Sequence, residues 1–196
     1  MKSLFNIFRI PAVIIAAGLI LFSTKANAQQ VALKTNALMW TVLTPNIGAE
    51  FVLGERYSLD LSVFGHYNPY GVDSKILAVQ PEFRYWFNGR PMIREFVGAS
   101  TMVAKYDFDI KRQVHDGYAA SAGVVGGYVF LLGKKKDTKW RLELCGGISL
   151  LFFSQKQHYR DDNYDDYFIE QVAAANSWGY KIFPAKLGVT FTYIIK

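Results

Sequence analysis

Between residues 57 and 67 the chain alternates strictly. Tyr57, Leu59, Leu61, Val63, Gly65 and Tyr67 fall on one face of an extended strand. Ser58, Asp60, Ser62, Phe64 and His66 fall on the other. Successive side chains of a strand point to opposite faces, so one side of this segment is apolar and the other polar. The same period of two marks eight stretches, at residues 31–42, 47–53, 57–67, 76–87, 94–106, 117–132, 140–153 and 180–195. Gly98, Ala99 and Ser100 blur the two faces of the fifth. Pro81 interrupts the fourth, where it cannot donate a ladder hydrogen bond, so a bulge or a locally unpaired position is expected. Turn-forming groups separate the stretches, among them Thr44-Pro45-Asn46, Asn68-Pro69-Tyr70-Gly71 and Asn88-Gly89-Arg90-Pro91.

The polar faces carry charge. Lys34, Glu50, Asp60, Glu82, Arg84, Arg141, Glu143 and Lys186 all share a face with small or polar neighbours, opposite faces such as Leu77, Val79, Phe83 and Tyr85. Apolar outside and polar inside is the pattern of a barrel that sits in lipid. The expected fold is therefore all-β, an eight-stranded antiparallel up-and-down transmembrane β-barrel. Eight strands leave an interior that side chains fill by themselves, and isolated buried ions are costly. The four acids and four bases are accordingly expected to pair into a plug, with no open pore. Aromatic residues at strand ends suit a girdle at each headgroup level: Trp40, Tyr57, Tyr67, Tyr85, Trp86, Phe87, Tyr106, Tyr118, Trp140, Phe153, Tyr180, Phe183 and Tyr193.

The first 28 residues read as a cleaved signal peptide, with Lys2 and Arg9 before an apolar stretch and Ala26-Asn27-Ala28 as a small-x-small cleavage site. Residues 29–196 then form one barrel domain. Removing Lys2, Arg9 and Lys25 from the 22 basic residues leaves 19 against 16 acidic, a net of +3. So mild a balance gives no support to nucleic-acid binding. No run of about 18 apolar residues follows the leader, so no helical span is expected. Cys145 is the single cysteine, which excludes an internal disulfide. It falls on an inward face as buried filler.

Chemistry is sparse. His66, His115 and His158 show no metal-ligand spacing. The run holding Asp161, Asp162, Asp165 and Asp166 lacks the glycine and spacing of an EF-hand loop and reads as a solvated acidic loop. No metal and no cofactor are expected. A hydrolase at the outer rim would need a serine or aspartate beside a histidine; His66 with Ser74, or His158 with Asp161, are the pairs available. The main expectation is not an enzyme but a monomeric barrel in contact with outer-membrane lipid. Its polar segments 108–115 and 154–179, the second with Asp161, Asp162, Asp165 and Asp166, are the candidate extracellular contacts. The alternatives are the rim-active hydrolase and a soluble calycin-like barrel holding an apolar ligand, with the faces reversed.

Several segments carry a resemblance. Lys34-Thr35-Asn36, Thr44-Pro45-Asn46, Gln80-Pro81-Glu82 and Arg84-Tyr85-Trp86, within the longer stretches 32–62, 79–90 and 139–152, resemble a family of small outer-membrane barrel proteins of unknown function. That family is often encoded beside fimbrial genes in anaerobic gut-type Gram-negative bacteria. The resemblance covers nearly all of the chain after the leader. It implies an outer-membrane location and a part in fimbrial assembly or anchoring, with a surface or fimbrial protein as partner, and it implies no catalytic residues. The overall pattern is also similar to OmpA- and OmpX-type barrels, as an analogy of fold.

Overall fold

The computed structural model describes residues 30–110, 113–133, 138–159 and 177–195. The signal peptide expected over residues 1–28 lies outside them. Eight antiparallel strands close in sequence order into one barrel: β1 (Val31–Asn36), β2 (Asn46–Val52), β3 (Tyr57–Tyr67), β4 (Ser74–Trp86), β5 (Arg94–Ile110), β6 (Gln113–Leu131), β7 (Trp140–Tyr159) and β8 (Ser177–Ile194). β1 closes the ring against β8, with Ala32 opposite Ile194 and Asn36 opposite Thr190. Pro81 causes no bulge. It pairs with Leu61 on β3, and the β4–β5 ladder leaves its level unpaired between Val79–Val103 and Glu82–Ser100. The bulge lies instead in β8, where the register against β7 shifts between Gly147 and Ile148 and leaves Ala185 as the extra residue.

Two expectations about the strands are corrected. Residues 37–41 do not continue β1; they form a short helix, α1 (Ala37–Thr41). Asn36 ends the strand because its side chain accepts from Leu38 N, a helix cap, while the Asn46 amide takes over both backbone groups of Asn36. Ala, Leu and Met then follow, all good helix formers. The second correction concerns residues 108–115 and the two ends of 154–179, whose residues 160–176 lie outside the described ones. β5 runs on to Ile110 and β6 starts at Gln113, so 108–115 is the tip of a hairpin, with Phe108 opposite His115. β7 likewise reaches Tyr159, and β8 begins at Ser177. Strand pairing continues through polar sequence because each strand supplies the ladder for the next.

β5 to β8 hold 17, 19, 20 and 18 residues, against 6 and 7 for β1 and β2. The end that carries both termini is level, since the first residues of β1 pair with the last of β8. The far end therefore slopes, tall at β5–β8 and low at β1–β2. Among the described residues, the extra length at that end comes from the strands.

The inside–outside assignment holds along the barrel except in β8 beyond its bulge, where the register shift turns Lys181 and Phe183 inward. Glu82 and Arg84 are 1% and 0% exposed, whereas Leu61 is 40% exposed. Outward Leu77, Val103, Ile148 and Leu187 are more exposed still. Of the expected girdle, Trp40, Tyr57, Tyr67, Phe87, Tyr118, Trp140, Tyr180 and Tyr193 are exposed. Trp86, Tyr106 and Phe153 instead face the lumen, as does the buried Phe96, while Phe183 lines the lumen cavity and is still 43% exposed. At the termini end, Trp86, Met92, Phe96 and Val129 fill the mouth. The Phe96 ring lies over Gly127, where an added Cβ would meet it at 2.6 Å and Leu144 O at 2.6 Å. Gly127→Val is expected to destabilise the barrel by about 1–3 kcal/mol, the usual cost of overpacking, measured by urea unfolding of the folded barrel.

Candidate functional site

The lumen holds one layer of charge just above the aromatic mouth. Register puts Glu50, Asp60 and Glu82 side by side across β2, β3 and β4. Three neighbouring carboxylates repel unless cations separate them. Lys34 from β1 supplies three such contacts, to Glu50 Oε2 at 2.8 Å, Asp60 Oδ2 at 2.8 Å and Glu143 Oε2 at 2.6 Å. Arg84 reaches across the lumen from β4 to β7 and holds Glu143 with both terminal nitrogens, at 2.8 and 3.0 Å. Its Nε donates to Glu82 Oε1 at 2.7 Å, and its terminal nitrogens also meet Glu50 Oε2 at 3.1 Å and Asp60 Oδ2 at 2.8 Å. Lys186 on β8 completes Glu82 at 3.1 Å and lies 3.6 Å from Asp60.

The layer is fully hydrogen bonded. Ser58 Oγ donates to the second oxygen of Glu50, and Ser62 Oγ to the second oxygen of Asp60. Every carboxylate oxygen of the four acids thus has a donor, and the guanidinium makes four hydrogen bonds to carboxylates, with Asp60 Oδ2 as a further ion-pair partner. Trp86 Nε1 donates to Ser58 Oγ, and the guanidinium lies 4.4 Å from the centre of the Phe96 ring. The charge layer and the aromatic mouth are one packed unit. Burial in a medium of low polarity strengthens each pair and makes any unpaired member costly. Chemically the arrangement is a seal: a solute moving along the axis would have to break several charge-assisted bonds at once.

Seven of the eight sequence-chosen residues meet here: Lys34, Glu50, Asp60, Glu82, Arg84, Glu143 and Lys186. Arg141 does not. It is buried and inward-facing, but it lies one pleat nearer the termini than Glu143 and donates to the carbonyls of Thr138 and Trp140 in its own turn. Alternation gave its face correctly; its level in the barrel follows from stagger between strands, which alternation does not contain. The acidic residues Asp161, Asp162, Asp165 and Asp166 lie outside the described residues. Cys145 faces inward as a free thiol packed beside the termini-end cluster.

The lumen is not polar throughout, and sequence reasoning missed this. Beyond the charge layer its walls are apolar, around Ala78, Ala104, Tyr106, Ala119 and Leu151. The signal was present in Phe64, which shares a face with Asp60 and Ser62.

At the far rim His66 Nε2 lies 2.9 Å from Ser74 Oγ, and its Nδ1 lies 3.0 Å from Thr44 Oγ1. The serine–histidine pair picked out in the sequence is therefore formed. Its third partner is a hydroxyl in place of a carboxylate, and Ser74 is only 6% exposed. The chain of three ties the α1–β2 link to β3 and β4. His66→Ala is expected to cost about 1–3 kcal/mol, because it strips the buried Ser74 hydroxyl of its partner and leaves Thr44 Oγ1 only the carbonyl of Val42; thermal melting in detergent measures it. Among the described residues no group of histidine, cysteine, aspartate and glutamate is placed to hold a metal ion.

No curated protein and no solved structure matches the chain. A family model described as a protein of unknown function, DUF3575, matches residues 13–195. With nearly its whole length covered, this eight-stranded barrel belongs to the DUF3575 family of unknown function.

Proposed function

We propose that the barrel spans the bacterial outer membrane as a sealed anchor that presents its tall far end for surface attachment, in association with fimbriae. One observation carries the reading. The outward residues form an apolar belt while four carboxylates and three cations are buried at the axis. Water-soluble barrels have the opposite polarity over most of their height. β3 has exposed tyrosines at both ends, Tyr57 and Tyr67. Ten residue steps of about 3.3 Å, tilted by about 40°, separate them by about 25 Å along the axis, the height of an outer-membrane barrel's apolar band. The termini end then faces the periplasm, and the tall β5–β8 wall faces outside. No helix among the described residues is long and apolar enough to cross a membrane.

Fractionation with a heat-shift gel tests the membrane reading. The protein is expected in the outer-membrane fraction and to migrate faster before boiling than after, because a closed sheet resists detergent. A monodisperse protein in detergent-free buffer would instead favour the calycin-like reading. Surface attachment is tested separately by deleting residues 160–176. Membrane insertion is expected to survive, while capture of fimbriated cells or of a fimbrial protein is expected to be lost. A rim hydrolase is the second reading, favoured by the formed His66–Ser74 pair. Ester hydrolysis by the native barrel that disappears in His66→Ala would establish it.

A further inference from the structure

Above the charge layer lies a cavity of about 690 Å³, walled by Phe64, Ile76, Met102, Phe108, Leu151 and Phe183. Its size is that of a small-molecule site, and its floor is the sealed ion layer, where Lys34, Asp60 and Lys186 line it. The cavity also extends into the wall of the barrel where β1 gives way to α1. Outward-facing Leu187, 64% exposed, and Thr35 line the same space as inward Lys186 and Lys34.

The ladder explains this extension. β1 pairs with β8 only as far as Asn36–Thr190. There the Asn36 side chain makes the last closure, donating to Leu187 O and accepting from Val189 N. Toward the far end β8 continues to Ser177 with β7 as its only strand partner among the described residues, and β1 has given way to α1. α1 packs against β8 here, so the gap is one in the backbone ladder only, and Met39 of α1 and Pro184 of β8 line the cavity from its two sides. Pro184 lacks an N–H, which suits an edge that no strand covers. Along β8 the gap lies between Tyr193, whose ring is tilted against that of Trp140, and Tyr180. Its outward residues there include Ile182 and Leu187, both strongly exposed.

We propose that the outer half of the lumen binds a single acyl chain with an anionic head, admitted sideways from the outer leaflet through the gap between α1 and β8. The inference rests on the membrane reading above, which places the gap at the depth of hydrocarbon. Apolar walls take the chain. Lys181 takes the head: it lines the cavity beyond Phe183, and among the described residues its Nζ meets only the Phe153 ring, 5.5 Å from the centroid. The bulge at Ala185 lets β8 do both, because it shifts Lys181 and Phe183 onto the face opposite Leu151 and Ser149 while Lys186 stays with the ion layer. Gln80 crosses the lumen to hold that bulge, donating to Ala185 O at 2.8 Å.

The test uses the full mature barrel in phosphatidylcholine vesicles and cis-parinaric acid, a fatty acid that fluoresces when buried. Saturable binding of one equivalent is expected. Ala119→Phe, which fills the cavity, should weaken it at least tenfold. Lys181→Glu, a substitution at an exposed side chain, should weaken parinarate about tenfold and leave its methyl ester unchanged. Displacement by oleate, lysophosphatidylglycerol and diacyl phosphatidylglycerol identifies the source of the chain, and displacement by the diacyl lipid alone would overturn a single-chain site. With parinarate preloaded in the vesicle and albumin outside to strip the aqueous pool, loading should continue at a rate set by its mole fraction in the membrane. Loading abolished by albumin would overturn the lateral route. Absence of binding in a barrel that floats with vesicles and keeps its heat shift would overturn the acyl site alone; failure to float would overturn the membrane reading beneath it.

Discussion

Replacing Arg84 with methionine is expected to destabilise the barrel by at least about 3–5 kcal/mol, enough to abolish folding under mild conditions. The guanidinium touches Glu50, Asp60, Glu82 and Glu143, and its removal leaves those carboxylates with only Lys34 and Lys186. Most of the loss comes from stranding buried carboxylates, because pairs this deep in the lumen gain little over an apolar filling of the same volume. The double replacement Arg84→Met with Glu143→Met should therefore recover part of what the single one loses. Arg84→Lys should be intermediate: it keeps the charge and gives up the two-pronged contact with Glu143. Urea titration of the three variants, followed by the heat-shift gel and by tryptophan fluorescence, gives the coupling energy directly. An Arg84→Met barrel as stable as the parent would refute the seal.

The outer surface carries the second large effect. Leu61 lies halfway along β3 on the outward face, and Val79 lies beside it on β4 opposite Val63. Arginine at either position is expected to cost about 2–4 kcal/mol when the barrel is folded into vesicles, since a charge near the bilayer midplane must leave water. Arginine for the exposed Tyr67, at the rim, should cost no more than about 1 kcal/mol. The gradient with depth is the diagnostic feature. A barrel surrounded by water would show the same small effect at all three sites, because exposed surface substitutions there stay within about 0.5 kcal/mol. This measurement reads the environment of the belt itself, independently of where the protein fractionates in a cell.

Alternation made the faces legible. Glu82, Arg84 and Trp86 on one side of β4, and Leu77, Val79 and Phe83 on the other, follow from a period of two alone, and the structure agrees. Strand ends were less legible. The polar residues of the β5–β6 hairpin tip and those beyond Phe153 read as loop, yet they pair because a neighbouring strand is already there to bond them. The reverse happened at residues 37–41, where an apolar stretch that alternates well enough for a strand turns helical because Asn36 caps it and Asn46 occupies the next rung.

Which face each residue takes, apart from β8 beyond its bulge, the closure into eight strands and the identity of seven members of the ion layer were thus determined by the amino-acid sequence, since a strand's period of two is a local property of the backbone. Level and neighbourhood were decided only by the tertiary structure. Stagger around the ring separates Arg141 from Glu143's partners, the sealing of the lumen is confined to one height, and the early end of β1 beside a long β8 leaves a gap in the ladder. These depend on pairings between residues more than 100 positions apart, such as Lys34 with Glu143, and no local pattern encodes a register that is fixed only when the sheet closes on itself.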